Sequence, residues 1–132
     1  MPVSETRSSP VLVAAALIAL TIAPPARADV EEGHELFVLE CSFCHVSTTE
    51  QKAAGPALEG VVGRQAGKVE GYVYSDAVKN SDVTWSDEML HVYLARPQDA
   101  IAGIRSTFKG MPLAEDRAAL IEYLKTLKSD AP

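Results

Sequence analysis

Cys41-Ser42-Phe43-Cys44-His45 carries the most specific chemistry in this 132-residue chain. Two cysteines separated by two residues and followed directly by histidine form C-x-x-C-H, the signature of covalent haem attachment. The thiols add to the two vinyl groups of a porphyrin, and the adjacent imidazole supplies the proximal iron ligand. A thioredoxin-like pair would need a βαβ setting, and no such pattern surrounds this one. A zinc site would need two more ligands, and only His34 and His91 remain among the histidines. A redox-inactive helical domain with a chance C-x-x-C-H is the blandest alternative, and it would retain no haem on a denaturing gel.

The rest of the composition narrows the setting. Two cysteines cannot build a disulfide scaffold. Twelve Lys+Arg against 18 Asp+Glu give a net charge of −6, which excludes the basic face a nucleic-acid binder needs. Val11 to Ala23 is apolar except for Thr21, with Arg7 before it and Pro24-Pro25 and Ala26-Arg27-Ala28 after it. A charged start, a short apolar stretch and an A-x-A site read as a secretory signal. The stretch falls short of the roughly 20 residues that span a bilayer. Residues 1–28 are expected to be a cleaved signal peptide, leaving 29–132 as the functional domain. Removing Arg7, Arg27 and Glu5 leaves 10 basic and 17 acidic residues, a charge of −7. Such a protein works outside the cytoplasm, in a bacterium in the periplasm, with no transmembrane anchor.

Three helices are needed to position the motif. Asp29 with Glu32 reads as a capping box, opening a helix from about Val30 to Glu40. A second helix starts near Ser86 and stops before Pro97. The last runs from about Leu113 to Lys128, with Leu120, Leu124 and Leu127 on one face and Ile121 beside them. Glu115 and Asp116 in its first turn and Lys125 and Lys128 in its last suit the helix dipole. Between the first two helices lie Gly55-Pro56, Gly60, Gly63, Gly67 and Gly71, which give loops and turns. A loop region that long is uncommon in a compact domain unless a large apolar group gives it something to pack on. The fold class is all-α, with long glycine-rich loops around one haem.

From these residues the chain resembles class I cytochrome c of the mitochondrial and purple-bacterial periplasmic type. The likeness covers nearly all of Asp29 to Lys128. Gly33 and Phe37 precede the cysteine pair as in that family, facing Leu120 and Tyr123 of the last helix. Gly55-Pro56-Ala57-Leu58-Glu59-Gly60-Val61-Val62-Gly63-Arg64 resembles its G-P-x-L-x-G-x-x-G-R segment. Gly71-Tyr72-Val73-Tyr74-Ser75-Asp76-Ala77 resembles its G-Y-x-Y-[ST]-x-A loop, and Trp85, Leu90, Tyr93, Leu94 and Pro97 match the following helix. The resemblance implies one covalent haem c on Cys41 and Cys44, with His45 as proximal ligand. It implies that the Pro56 carbonyl accepts from the His45 ring, and that Arg64, Tyr74 and Trp85 surround a buried propionate. Tyr93 would stay on the distal side. The implied role is a monomeric electron carrier, not an enzyme, moving single electrons between membrane or periplasmic redox proteins. Familiar members dock through a lysine ring; here Lys52, Lys68, Lys79, Arg105 and Lys109 are the sparse counterparts.

One departure falls at the iron. The family carries P-G-T-K-M-x-F-x-G before its last helix, and that methionine is the distal ligand. A gap-free count from Trp85 through Pro97 to Tyr123 puts Ser106 at its position, within Ala102-Gly103-Ile104-Arg105-Ser106-Thr107-Phe108-Lys109-Gly110. Ile104 stands for the usual Thr and Val78 for a common Asn, which makes the distal side more apolar. Three accounts follow. Met111 ligates in place of the missing methionine. Alternatively Met111 is core, and the sixth position is open to water or a diatomic. In the third account Lys109 or His91 binds. A methionine-ligated haem suits electron transfer. An open one would bind or sense a diatomic, or reduce peroxide weakly.

Overall fold

The computed structural model describes residues 28–45 and 54–128. The expected signal peptide lies outside them except for Ala28, as does Lys52. Five helices appear in order: α1 (Ala28–Glu40), α2 (Asp76–Lys79), α3 (Asp87–Ala95), α4 (Pro97–Ala100) and α5 (Ala114–Thr126). Among the described residues, β structure is limited to one antiparallel bridge between Gln65 and Thr84. No described helix is long and apolar enough to cross a membrane.

The three long helices stand where the sequence places them, with shifted ends. α1 begins at Ala28, so Asp29 lies inside its first turn and not at the N-cap of a capping box. Alanine extends a helix at almost no cost, and the acid still favours the positive end of the dipole. Ser86 does cap α3: its Oγ accepts from the Met89 amide at 3.2 Å. α3 ends because Pro97 drives the preceding residue out of helical space, and Arg96 is extended at φ −156°. The same proline, with its fixed φ and missing N–H, is the first residue of α4. α5 spans fewer residues than expected. Leu113 becomes its N-cap, Leu127 its C-cap, and Lys128 lies beyond it.

α1 crosses α5, and Gly33 makes the crossing possible. A Cβ at Gly33 would overlap the Ala119 carbonyl and press on Tyr123 Cβ. Phe37 and His34 rest on the Tyr123 ring, with centroids 5.2 and 5.1 Å away. Below this crossing Phe37, Leu90, Leu94, Met111, Leu120, Ile121 and Leu124 form the main apolar core with Val61 from the long loop. Leu120 and Ile121 are essentially sealed from solvent, at 0% and 2% exposure. A second cluster gathers Ala66, Val78, Ile101 and Ile104. Trp85 and Tyr93 touch both clusters and are the seam between them.

The long loop has its own framework. Gly63 N–H donates to the Trp85 carbonyl and Trp85 N–H to the Arg64 carbonyl, both at 2.9 Å. Ala66 N–H donates to Val83 at 2.8 Å and Gly60 N–H to Leu127 at 2.6 Å. Val61 and Ala66 are buried. These backbone bonds tie the loop to α5 and to the entry of α3, so protein contacts hold it together. Sequence periodicity carries no trace of such pairings.

Candidate haem site

Cys41, Cys44 and His45 occupy one turn at the C-terminal end of α1. Cys41 N–H donates to the Phe37 carbonyl at 2.9 Å, extending the helix. The Cys41 carbonyl then accepts from the amides of Cys44 at 3.1 Å and His45 at 2.8 Å. Both cysteines are half-buried and unbridged. Burial first, then the charges of Glu40 and Cys44, push the Cys41 thiol up to about 11. It is therefore held as a neutral thiol at neutral pH. Among the described residues no three His, Cys, Asp or Glu side chains converge on a point that would hold an ion, and this includes the motif itself. Two thiols beside one imidazole, with no further ligand side chain converging on them, fit a porphyrin better than a bare metal.

The His45 ring is fixed from below. Its Nδ1 lies 2.8 Å from the Pro56 carbonyl oxygen. A carbonyl only accepts, so Nδ1 carries the proton and Nε2 keeps its lone pair for a metal. Gly55 lies flat against the ring: a Cβ there would come within 2.6 Å of Nδ1 and 2.8 Å of Nε2. Gly55 N–H also donates to the Cys44 carbonyl at 2.6 Å, closing the strap onto the motif. Tyr72 extends that closure, its hydroxyl donating to the Ala54 carbonyl at 2.8 Å.

Arg64, Tyr74 and Trp85 come from one side of the long loop. Arg64 is half-buried, and its Nη1 and Nη2 donate to the carbonyls of Glu59 at 2.6 Å and Ala57 at 2.9 Å. Burial lowers its pKa, and its charge acts on Tyr74. The Tyr74 hydroxyl accepts from the Val69 amide at 3.3 Å, and its ring meets Tyr72 edge-on at 4.7 Å. Burial raises the Tyr74 phenol above its ordinary range. Trp85 is joined to Arg64 through the backbone pair, and its ring meets Tyr93 edge-on at 5.1 Å. Arg64 thus holds the strap that carries Pro56, a positioning role that its sequence pattern does not reveal.

Tyr93, Ser106 and Phe108 form a second group. Tyr93 and Phe108 stack with centroids 6.4 Å apart. The Ser106 hydroxyl accepts from the Phe108 amide at 3.2 Å. Met111 is 5% exposed in the main core, against which Tyr93 and Phe108 also pack. Arg117 is the residue that sequence reasoning missed. Its Nη1 donates to the carbonyls of Met111 at 2.6 Å and Pro112 at 2.9 Å. A cation so near the start of α5 opposes the helix dipole, and that mismatch is the signal that it has other work.

The family model for cytochrome c matches residues 30–128. Cytochrome c of Euglena viridis is 42% identical over 100 residues, covering 76% of this chain and 98% of its own. Cytochrome c2 of Rhodoblastus acidophilus is 39% identical over 103 residues, covering 77% of this chain and 95% of its own. Among solved structures, cytochrome cH from Methylobacterium extorquens is similar with a TM-score of 0.68 and 37% identity, covering 74% of this chain and 98% of that one.

Proposed function

The chain belongs to the cytochrome c family, and from that premise we propose that it is a periplasmic monohaem carrier moving single electrons between redox proteins of the membrane or periplasm. Membership makes it an electron-transfer protein with covalent haem c, and not an enzyme. The haem supplies the redox couple. The chain attaches it through Cys41 and Cys44, aims an imidazole at it through His45, and keeps that imidazole still during electron transfer. The observation that carries this reading is the Nδ1–Pro56 bond at 2.8 Å with Gly55 packed on the ring. A carrier gains from a proximal ligand that does not reorganise, and here the ligand is confined by a hydrogen bond and by contact. Arg64 supports the strap, and Tyr74 and Trp85 stand beside it as the residues that would meet a propionate. The apolar segment Val11 to Ala23 and the A-x-A site support export, and covalent haem attachment in bacteria takes place after export.

Expression of the full sequence in a bacterium with haem-attachment machinery tests this reading. Protein from the periplasmic fraction should begin at Asp29, keep its haem on a denaturing gel and give one reversible one-electron wave. Haem that is lost on denaturation, or the absence of a reversible wave, would overturn the assignment.

A further inference from the structure

The segment Ala102–Gly110 is where the chain departs from its family, and the structure shows what surrounds that departure. Ser106 stands at the position where the family carries its distal methionine, two residues from Phe108, whose ring stacks on Tyr93. The Ser106 Oγ accepts the Phe108 amide at 3.2 Å, which holds the side chain in place. A neutral hydroxyl is a weak ligand for haem iron compared with a thioether.

Met111 is fixed in the main core, and its backbone is tied on both sides. Met111 N–H donates to the Leu94 carbonyl at 2.7 Å, at the end of α3. On its other side the Met111 carbonyl accepts from Arg117 at 2.6 Å, out of α5. Gly110 has φ +95° and lies so close to the Ala95 carbonyl that no Cβ fits between them. The residue is pinned to two helices, and its side chain fills the core with Leu94 and Leu120. Moving its sulfur out of that core would open a cavity there.

The nitrogen candidates fare no better. His91 is two residues from Tyr93 on α3, about 200° around the helix. Lys109 is exposed. The chain has three methionines, of which Met1 lies in the expected signal peptide and Met89 on α3.

Resting on the haem reading above, we propose that the sixth position is a binding site for a small exogenous ligand, a diatomic or small anion able to accept hydrogen bonds from the Tyr93 and Ser106 hydroxyls. Burial keeps the Tyr93 phenol protonated well past neutral pH, so it remains a donor. Phe108, stacked on Tyr93, gives the site an apolar wall. Such a wall limits entry to small molecules.

The test uses purified haem-loaded protein with cyanide on the ferric form and carbon monoxide on the ferrous form. Haem content is measured separately after denaturation, so a failure of attachment is distinguished from a failure of this proposal. The wild type should be high-spin at neutral pH and take up both ligands promptly. Ser106→Met should convert it to a low-spin form with a thioether–iron charge-transfer band and slow ligand uptake. Tyr93→Phe and Ser106→Ala should each weaken cyanide by roughly 2- to 10-fold, the worth of one hydrogen bond. Ser106→Thr should restore the affinity, and carbon monoxide, a poorer acceptor, should change less. Met111→Leu, which conserves volume, should leave the spectrum unchanged. A wild-type thioether band that disappears in Met111→Leu would overturn the proposal. So would a low-spin spectrum that turns high-spin in Lys109→Ala or His91→Ala.

Discussion

The proximal side depends on one residue that has no side chain. Gly55 lies against the His45 ring where a methyl group would come within 2.6 Å of Nδ1. Gly55→Ala must therefore displace either the ring or the strap, and both are tied to the 2.8 Å bond with Pro56. Overpacking of this kind costs about 1–3 kcal/mol. The variant should unfold at a lower denaturant concentration than wild type, both haem-loaded, in titrations followed by far-ultraviolet dichroism. Equal midpoints would show that the strap yields freely. The Gly55-Pro56 pair and the C-x-x-C-H motif were legible in the sequence as spacing and residue type. The reason for Gly55 was not, because contact with a ring ten residues away is a property of the folded chain. Arg64 shows the same division. Its place in a pattern suggested a propionate partner, while its bonds to Ala57 and Glu59 are set by backbone geometry.

The helices were legible to the extent that their causes are local. Ser86, Pro97 and the Leu120–Leu124 face each act within a turn or two of the chain. α2 and α4 were not, since four residues carry no period. In the sequence Pro97 marks only a stop, and in the fold it is both a stop and a start. The crossing of α1 and α5 poses a conflict of magnitudes. Replacing Gly33 by Ala gains about 1 kcal/mol of helix propensity. It also puts a methyl group into the Ala119 carbonyl, which is backbone of a packed helix and has no room to withdraw. Steric overlap of about 1–3 kcal/mol, with further loss if the helices separate, outweighs the propensity. Gly33→Ala should lower the urea midpoint; a midpoint above wild type would mean that the crossing is looser than its contacts indicate.

At the scale of the molecule, charge decides how partners approach. The full chain carries −6, and the structure removes several cations from the docking field. Arg64 and Arg117 are spent on backbone carbonyls. Lys125 bridges Asp87 and Glu122, both at 2.6 Å, and joins α3 to α5. Arg96 lies 3.6 Å from Asp99. Among the described residues Lys68, Lys79, Arg105, Lys109 and Lys128 are exposed, against the acids Glu31, Glu32, Glu35 and Glu40 exposed along α1. These few cations on a net acidic body give a weak positive field, and salt screens that field beyond about 8–10 Å. Strong steering changes association rates by about 10- to 1000-fold, with a steep salt dependence. The oxidation rate of the reduced protein by isolated respiratory membranes should therefore change by less than about tenfold from low to physiological ionic strength. Stopped-flow measurement across a salt series reads this directly. A steep fall would mean that the exposed lysines and arginine converge on one docking face, whereas a rise with salt would mean that the acidic surface of α1 meets an acidic partner.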